Sequence, residues 1–248
     1  MRSSTIRAAA GGLLVAALLA ACGGGDDGNA SSSAVWHGTT STGRDVGGVT
    51  LADGSYYLLY SSTTDANTVG GAIQGTATLT GEQFASQDAL EFSAEGLGIR
   101  PSTLAATLQA GSSFHGTVTT TASGAAVTFQ TRTYVAAWGA TPMPTLQRLA
   151  GAYTGTAGFA LGVRPAVFTV TETGAVSSTI NGCAITGTAT PRTDVNAYDL
   201  AIAFGGAPCA LPGLAFTGIA YIRPDNGRLY AVARNTPTKQ SVIFSGAK

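Results

Sequence analysis

Two histidines, His37 and His115, are the natural starting point for any acid–base chemistry in this chain, because imidazole alone titrates near neutral pH when unperturbed. A hydrolytic triad needs a histidine held by a carboxylate and set beside a nucleophile. Neither histidine has such neighbours in sequence, and no Gly-x-Ser-x-Gly elbow occurs. His115 sits among threonines on the polar side of an alternating segment, which reads as solvent-facing. His37 follows Trp36 and points to the opposite face by alternation. Asp88, Glu91 and Glu95 gather before Gly96. Glycosidase carboxylates are drawn from such residues, but three acids near a turn read more simply as solvated. No spacing fits a zinc or calcium site, and Asp26-Asp27 reads as a solvating pair. The glycine clusters lack the Lys-Ser/Thr of a phosphate-binding loop. The expectation is a protein without catalytic residues, metal or cofactor.

The three cysteines carry more. Cys22 ends the run Leu19-Ala20-Ala21-Cys22, which closes a segment with Arg2 and Arg7 in front and apolar residues from Ala8 to Ala21. This is the pattern of a secretory signal peptide over residues 1–21, too short to span a bilayer as a helix. An exported chain meets an oxidising compartment, where a disulfide is the reading in preference to two buried thiols, and Cys183 and Cys209 are the pair left if Cys22 is lipidated. A bond between them would pin the loop Ala207-Pro208-Cys209-Ala210-Leu211-Pro212 to the segment opened by Cys183.

Leu-Ala-Ala-Cys resembles the lipobox of bacterial lipoproteins. The resemblance implies cleavage before Cys22, acylation of that cysteine and anchoring by the attached chains. In that family Gly23, where an Asp would retain the protein at the inner membrane, implies sorting to the outer membrane. The mature chain also resembles envelope lipoproteins of proteobacteria of unknown function.

Composition sets limits on partners. Of 13 basic residues, Arg2 and Arg7 leave with the signal, so 11 face 13 acidic ones, a net charge of −2. Nucleic-acid binding needs a basic footprint, so it is excluded. Charged residues are 10% of the chain against roughly 25% in an average soluble protein, and Gly, Ala, Thr and Ser take their place. Residues 22–33 form a flexible tether from Cys22, with a reach of roughly 20 Å.

The elements that must position any site are strands. Leu104, Ala106, Leu108 and Ala110 alternate with polar residues, as do Phe114, Gly116 and Val118. That is the mark of antiparallel sheet with one wet face. Turn signals at Asp53-Gly54, Ser123-Gly124, Asn181-Gly182 and Pro224-Asp225-Asn226-Gly227 punctuate about eight strands per half. Trp36-His37-Gly38, the run Ala72 to Thr78, Phe92 and Phe114-His115-Gly116 recur in order as Tyr153-Thr154-Gly155, Ala184 to Thr190, Phe204 and Phe216-Thr217-Gly218. The predicted fold is all-β: two tandem small antiparallel barrels related by internal duplication, over residues 34–142 and 143–248. Thr145 is placed to cap one helical turn after the Pro142-Met143-Pro144 joint.

Tyr56, Tyr57 and Tyr60 make one strand apolar on both faces. They fill a core or form a contact surface for a ligand or partner. Gly151-Ala152-Tyr153 resembles the Gly-x-Trp of lipocalin-like (calycin) barrels, where a late arginine packs over the ring. The resemblance implies that part for Arg234 in the second half and Arg132 in the first, though Arg132 shares its face with polar residues and so reads as solvent-facing. Eight-stranded barrels either fill with side chains or hold one small ligand. The functional expectation is a non-catalytic module for an apolar small molecule or an envelope protein. A structural lipoprotein without ligand is the second reading, an enzyme the third and a transmembrane barrel a distant fourth.

If Cys22 carries the anchor, Cys22→Ser should appear in the soluble fraction or accumulate unprocessed. Fractionation and intact mass measure this, and membrane retention of a correctly cleaved Cys22→Ser protein would refute it.

Overall fold

The computed structural model describes residues 32–134, 143–159 and 162–248. The signal peptide, Cys22, most of the tether and part of the Pro142 joint lie outside them. The first half comprises β1 (Ala34–Thr40), β2 (Asp45–Thr50), β3 (Ser55–Ser61), β4 (Val69–Thr76), β5 (Thr78–Thr80), β6 (Gln83–Ser93), β7 (Gly98–Gln109), β8 (Ser113–Thr120) and β9 (Ala126–Thr133). A single turn α1 (Leu146–Leu149) leads into the second half. There β10 (Gly151–Phe159), β11 (Gly162–Val170), β12 (Ala175–Ile180) and β13 (Cys183–Pro191) are followed by β14 (Tyr198–Phe204), β15 (Ala215–Ile222), β16 (Leu229–Arg234) and β17 (Ser241–Ala247).

Each half is an up-and-down antiparallel barrel of eight strands. In the second, β10 through β17 pair in chain order and β10 pairs back to β17. In the first, β9 pairs with β1, and β4 closes on β6 through Gly71↔Ser93 to Gln74↔Leu90. The short β5 continues β4 beyond Ala77 and pairs with the start of β6, so it adds a ninth strand outside the closed ring. Closure removes the free edges that would otherwise invite aggregation.

The sequence matches fall on this framework unevenly. Trp36 and Tyr153 lie on the first strand of each barrel, and Ala72 and Ala184 on the fourth. Ile73 and Ile185, one residue on, both enter their barrel's core. Phe92 and Phe204 lie on corresponding strands but face opposite ways: Phe204 fills the second barrel, whereas Phe92 points out of the first. Phe114 and Phe216 lie on the seventh and sixth strands of their rings. The recurring aromatic-x-Gly is therefore partly a local device. A Cβ on Gly38 would lie 1.8 Å from the Gln130 carbonyl, and one on Gly155 1.9 Å from that of Ser245. Only glycine permits such close strand approach.

Between the barrels lies a third apolar cluster. Val35, Val49, Leu59, Ala72 and Phe92 of the first half meet Ile219, Tyr221, Tyr230, Val232 and Ile243 of the second. Inward residues on the same strands, such as Phe216, Ala231 and Phe244, belong to the second barrel's own core. Separated, each half would expose its side of this cluster to water.

Polar contacts frame the seam. Gln74 donates to Ser241 Oγ at 2.8 Å in a buried position. Arg223, 5% exposed, reaches Asp45 of the other half and Asp225 at 2.7 Å. Burial by itself would raise the Asp225 carboxyl, but the hydrogen bond and charge of Arg223 hold it below its ordinary 3.8. A lowered folded-state value gives stability that is complete above about 3.8 and is lost as pH falls through the folded value. Stability should therefore decline in acid below about pH 4. Arg223→Met should cost about 3 kcal/mol at neutral pH and flatten that acid limb, measured by urea unfolding from pH 2 to 8.

Candidate functional site

The two barrel interiors differ in what fills them. The second is packed by Phe168 against Phe244 at 4.7 Å between ring centroids and Phe204 against Phe216 at 5.2 Å. Leu149 is buried in the same core, brought there by α1, whose first turn is capped by Thr145 as its side chain accepts from the Arg148 amide. About 30 Å³ of internal space remains. Cys183 and Cys209 form a disulfide with Cα atoms 4.5 Å apart, tying the start of β13, just after the Asn181-Gly182 turn, to the β14–β15 loop.

The first barrel is packed at one end only. Trp36, Tyr56, Phe84, Phe114 and Phe129 make a chain of ring contacts at 5.1 to 5.6 Å. The buried Trp36 indole N–H donates to Thr50 and the Tyr56 hydroxyl to Ser86. Toward the other end the barrel opens into a cavity of about 410 Å³. Val46, Leu58, Ile73, Val118 and Phe129 line its wall, and Thr42, Thr63, Leu97 and Ala125 from four turns border it. Leu97 is 58% exposed.

Charged groups line this cavity in two pairs. Glu91 Oε1 accepts from the Tyr60 hydroxyl at 2.9 Å and from Arg100 Nη2 at 2.6 Å. Arg44 Nη1 donates to Glu95 Oε2 at 2.7 Å and to the Ser61 carbonyl at 3.1 Å, with its guanidinium 5.1 Å from the Tyr60 ring centroid. Burial, then the Glu91 charge and hydrogen bond, push the Tyr60 hydroxyl well up, so it remains a donor. Burial works against ionised Glu95, but Arg44 and the Thr63 amide outweigh it and hold that carboxyl low. Arg100 Nε is buried and has no partner among the described residues.

The tyrosine strand divides among these environments. Tyr56 is fully buried in the aromatic stack, and Tyr60 lines the cavity. Tyr57 packs half-buried against the inter-barrel cluster. Tyr57 also borders an open groove with Asp53, Arg192 and Thr217. The cation over the Tyr153 ring is Lys248, at 5.2 Å, in place of the expected Arg234. Lys248 also donates to the Arg148 carbonyl, which ties it to the helical turn, while Arg234 lies at the end of β16. Arg132 is exposed.

His37 lies 3.7 Å from Asp45 and stacks on Tyr134, and His115 is exposed. Among the described residues no group of three His, Cys, Asp or Glu side chains could hold a metal ion, and no helix is long and apolar enough to cross a membrane. Asp88 binds Ser86 and the Thr76 amide, apart from Glu91 and Glu95. Arg44 and Arg100 were not singled out in the sequence. A signal existed for Arg100, which is in phase with Leu104, Ala106 and Leu108 on the inward face of β7. Glu91 is out of phase with Phe84 and turns inward only because β6 shifts register between Ser86 and Ala89.

No protein-family model matches the chain, and no curated protein matches it. Among solved structures it is similar to the isotype 1 transferrin binding protein B of serogroup B Neisseria meningitidis, at 12% identity over 83% of this chain and 65% of that one, TM-score 0.30. It is also similar to a candidate outer membrane protein of Bacteroides fragilis, at 11% identity over 87% and 96%, TM-score 0.27. A variant of transferrin binding protein B from Haemophilus parasuis gives 6% identity over 83% and 66%, TM-score 0.29. The chain thus spans about two thirds of the length of the transferrin binding proteins it resembles. At such TM-scores the likeness decides nothing about this chain, whose site rests on its own geometry.

Tyr56→Ala should cost about 3–5 kcal/mol, the loss expected for removing a fully buried ring, read from denaturant unfolding. A change below about 0.5 kcal/mol, normal for a surface position, would contradict its place in the stack.

Proposed function

We propose that this chain is a lipid-anchored protein of the outer membrane whose first barrel binds a small, largely apolar molecule, with the second barrel as its filled structural partner. The observation that carries the reading is the contrast between about 410 Å³ of space in one barrel and about 30 Å³ in the other. A pocket of several hundred Å³ with apolar walls and a few convergent polar groups is the usual form of a small-molecule site. The lining of Val46, Leu58, Ile73, Val118 and Phe129 suits a hydrocarbon body. Neither histidine borders the cavity, and its two carboxylates, Glu91 and Glu95, are each bonded to an arginine; the reading is binding without turnover. Cys22 and Gly23 support the anchor and its destination through the lipobox resemblance alone.

The filled second barrel favours a structural role for that half, in line with an assembly lipoprotein. Its outward face is occupied by the first barrel over β15 to β17, which leaves the opening of the first as the place for exchange with the surroundings.

The test is uptake of the small neutral apolar dye 1-naphthylamine. The protein should bind it saturably at one site. Val127→Trp, on the cavity wall where the side chain is only partly buried, should weaken binding at least tenfold. Val167→Trp, at a 46% exposed position on the second barrel, should leave it unchanged. Equal binding by both variants would refute the site.

A further inference from the structure

We infer that the cavity of the first barrel selects an uncharged amphiphile of medium chain length, with a carbonyl or hydroxyl oxygen accepting a hydrogen bond from Arg100. This rests on the reading that the cavity is a binding site and adds the class of molecule.

Size comes first. At about 30 Å³ per non-hydrogen atom, the share a water molecule takes in the liquid, a cavity of about 410 Å³ holds about 14 such atoms. A ten-carbon chain with a small head fits. A two-chain lipid does not.

Head-group chemistry follows from the charged pairs. Two guanidinium groups and two carboxylates line the cavity, and each guanidinium is bonded to one carboxylate. An anionic head would have to displace Glu91 from Arg100 or Glu95 from Arg44, and would leave a carboxylate against it. Glu91 is 7% exposed, and a buried charge stripped of its partner is strongly unfavourable. A cationic head meets the converse penalty from Arg44 and Arg100. Balanced, pre-paired charge is thus a device against either ion, the repulsive half of specificity.

What remains open is one donor. Arg100 spends Nη2 on Glu91 and its Nε is closed off, so Nη1, without an acceptor among the described residues, is the guanidinium nitrogen left for one. A neutral oxygen can accept from that Nη1 without disturbing the Glu91 pair. Leu58, Ile73 and Val118 on the cavity wall receive the chain. Tyr60 keeps its hydroxyl committed to Glu91 and so holds that carboxylate in place.

The experiment is isothermal titration of the protein with decane, methyl decanoate, decanoate and decyltrimethylammonium at pH 7.5. Methyl decanoate should bind at least tenfold tighter than either ion and tighter than decane. Arg100→Lys keeps the charge opposite Glu91 and replaces the fork of nitrogens by a single one, so the ester should lose at least fivefold and its advantage over decane should shrink. Glu91→Gln removes one negative charge and frees Arg100, so decanoate should gain at least tenfold. That second variant is read independently should the first fail to fold in a melting curve. An ion binding as tightly as the ester would overturn the inference. So would an ester indifferent to Arg100→Lys, or a head-group preference unmoved by Glu91→Gln. In those cases binding of decane and ester that Val127→Trp abolishes would leave the binding reading standing. Failure of all four molecules to bind would remove both.

Discussion

Tyr56, Leu58 and Tyr60 point into the first barrel while Tyr57 and Leu59, between them on β3, point at the second. The same double duty falls on β15, β16 and β17 across the seam, where Phe216, Ala231 and Phe244 face inward and Ile219, Val232 and Ile243 face outward. Strands with two apolar faces cannot sit at a water boundary on either side. They oblige the two barrels to pack together, and they set which faces meet. The rest of the molecule follows from that contact. Gln74, Asp45 and Arg223 find partners across it, and the strands away from it keep the alternating pattern of a wet outer face.

Two barrels of the same strand count end with different interiors because of what their walls carry. Five phenylalanines, among them Phe168, Phe204, Phe216 and Phe244, occupy the second barrel with Tyr153 and Leu149. The first puts its large rings at one end, where Trp36, Tyr56, Phe84 and Phe114 stack. Toward its opening the wall changes to threonine, valine, arginine and glutamate. Ionised groups resist dry packing, since each needs a partner and hydrogen bonds. The Tyr60–Glu91–Arg100 chain satisfies most of these demands and holds its side chains along the wall. An opening built on fixed charge pairs therefore keeps space that an all-apolar wall would close.

The glycines that make the sequence look repetitive also belong to barrel closure. Gly38 and Gly155, two residues after the first inward aromatic of each barrel, lie where a partner strand's carbonyl leaves no room for a side chain. Such constraints recur wherever a strongly coiled sheet brings backbones together. That explains why Phe114-His115-Gly116 and Phe216-Thr217-Gly218 match while lying on strands of different rank.

Much of this was open to reading in the chain itself. Period-two alternation and Gly-containing turns determined the strands, because burial on one face writes itself into every second residue. Cys183 and Cys209, the pair left if Cys22 is lipidated, pointed to the disulfide, and Thr145 to the helical cap. The both-faced strand at Tyr56 to Tyr60 signalled an unusual environment, but one strand cannot say whether its second face meets solvent, a ligand or another sheet. Only the tertiary structure decided that, by setting Tyr57 and Leu59 against the second barrel. It also decided the cavity, the salt bridges of Arg44 and Arg100, and the cation over Tyr153. These join residues 9 to 95 positions apart in the chain, and barrel closure brings them together through registers that no local pattern records. Local alternation fixes which face a side chain takes, whereas the space left inside depends on the sum of all eight strands at once.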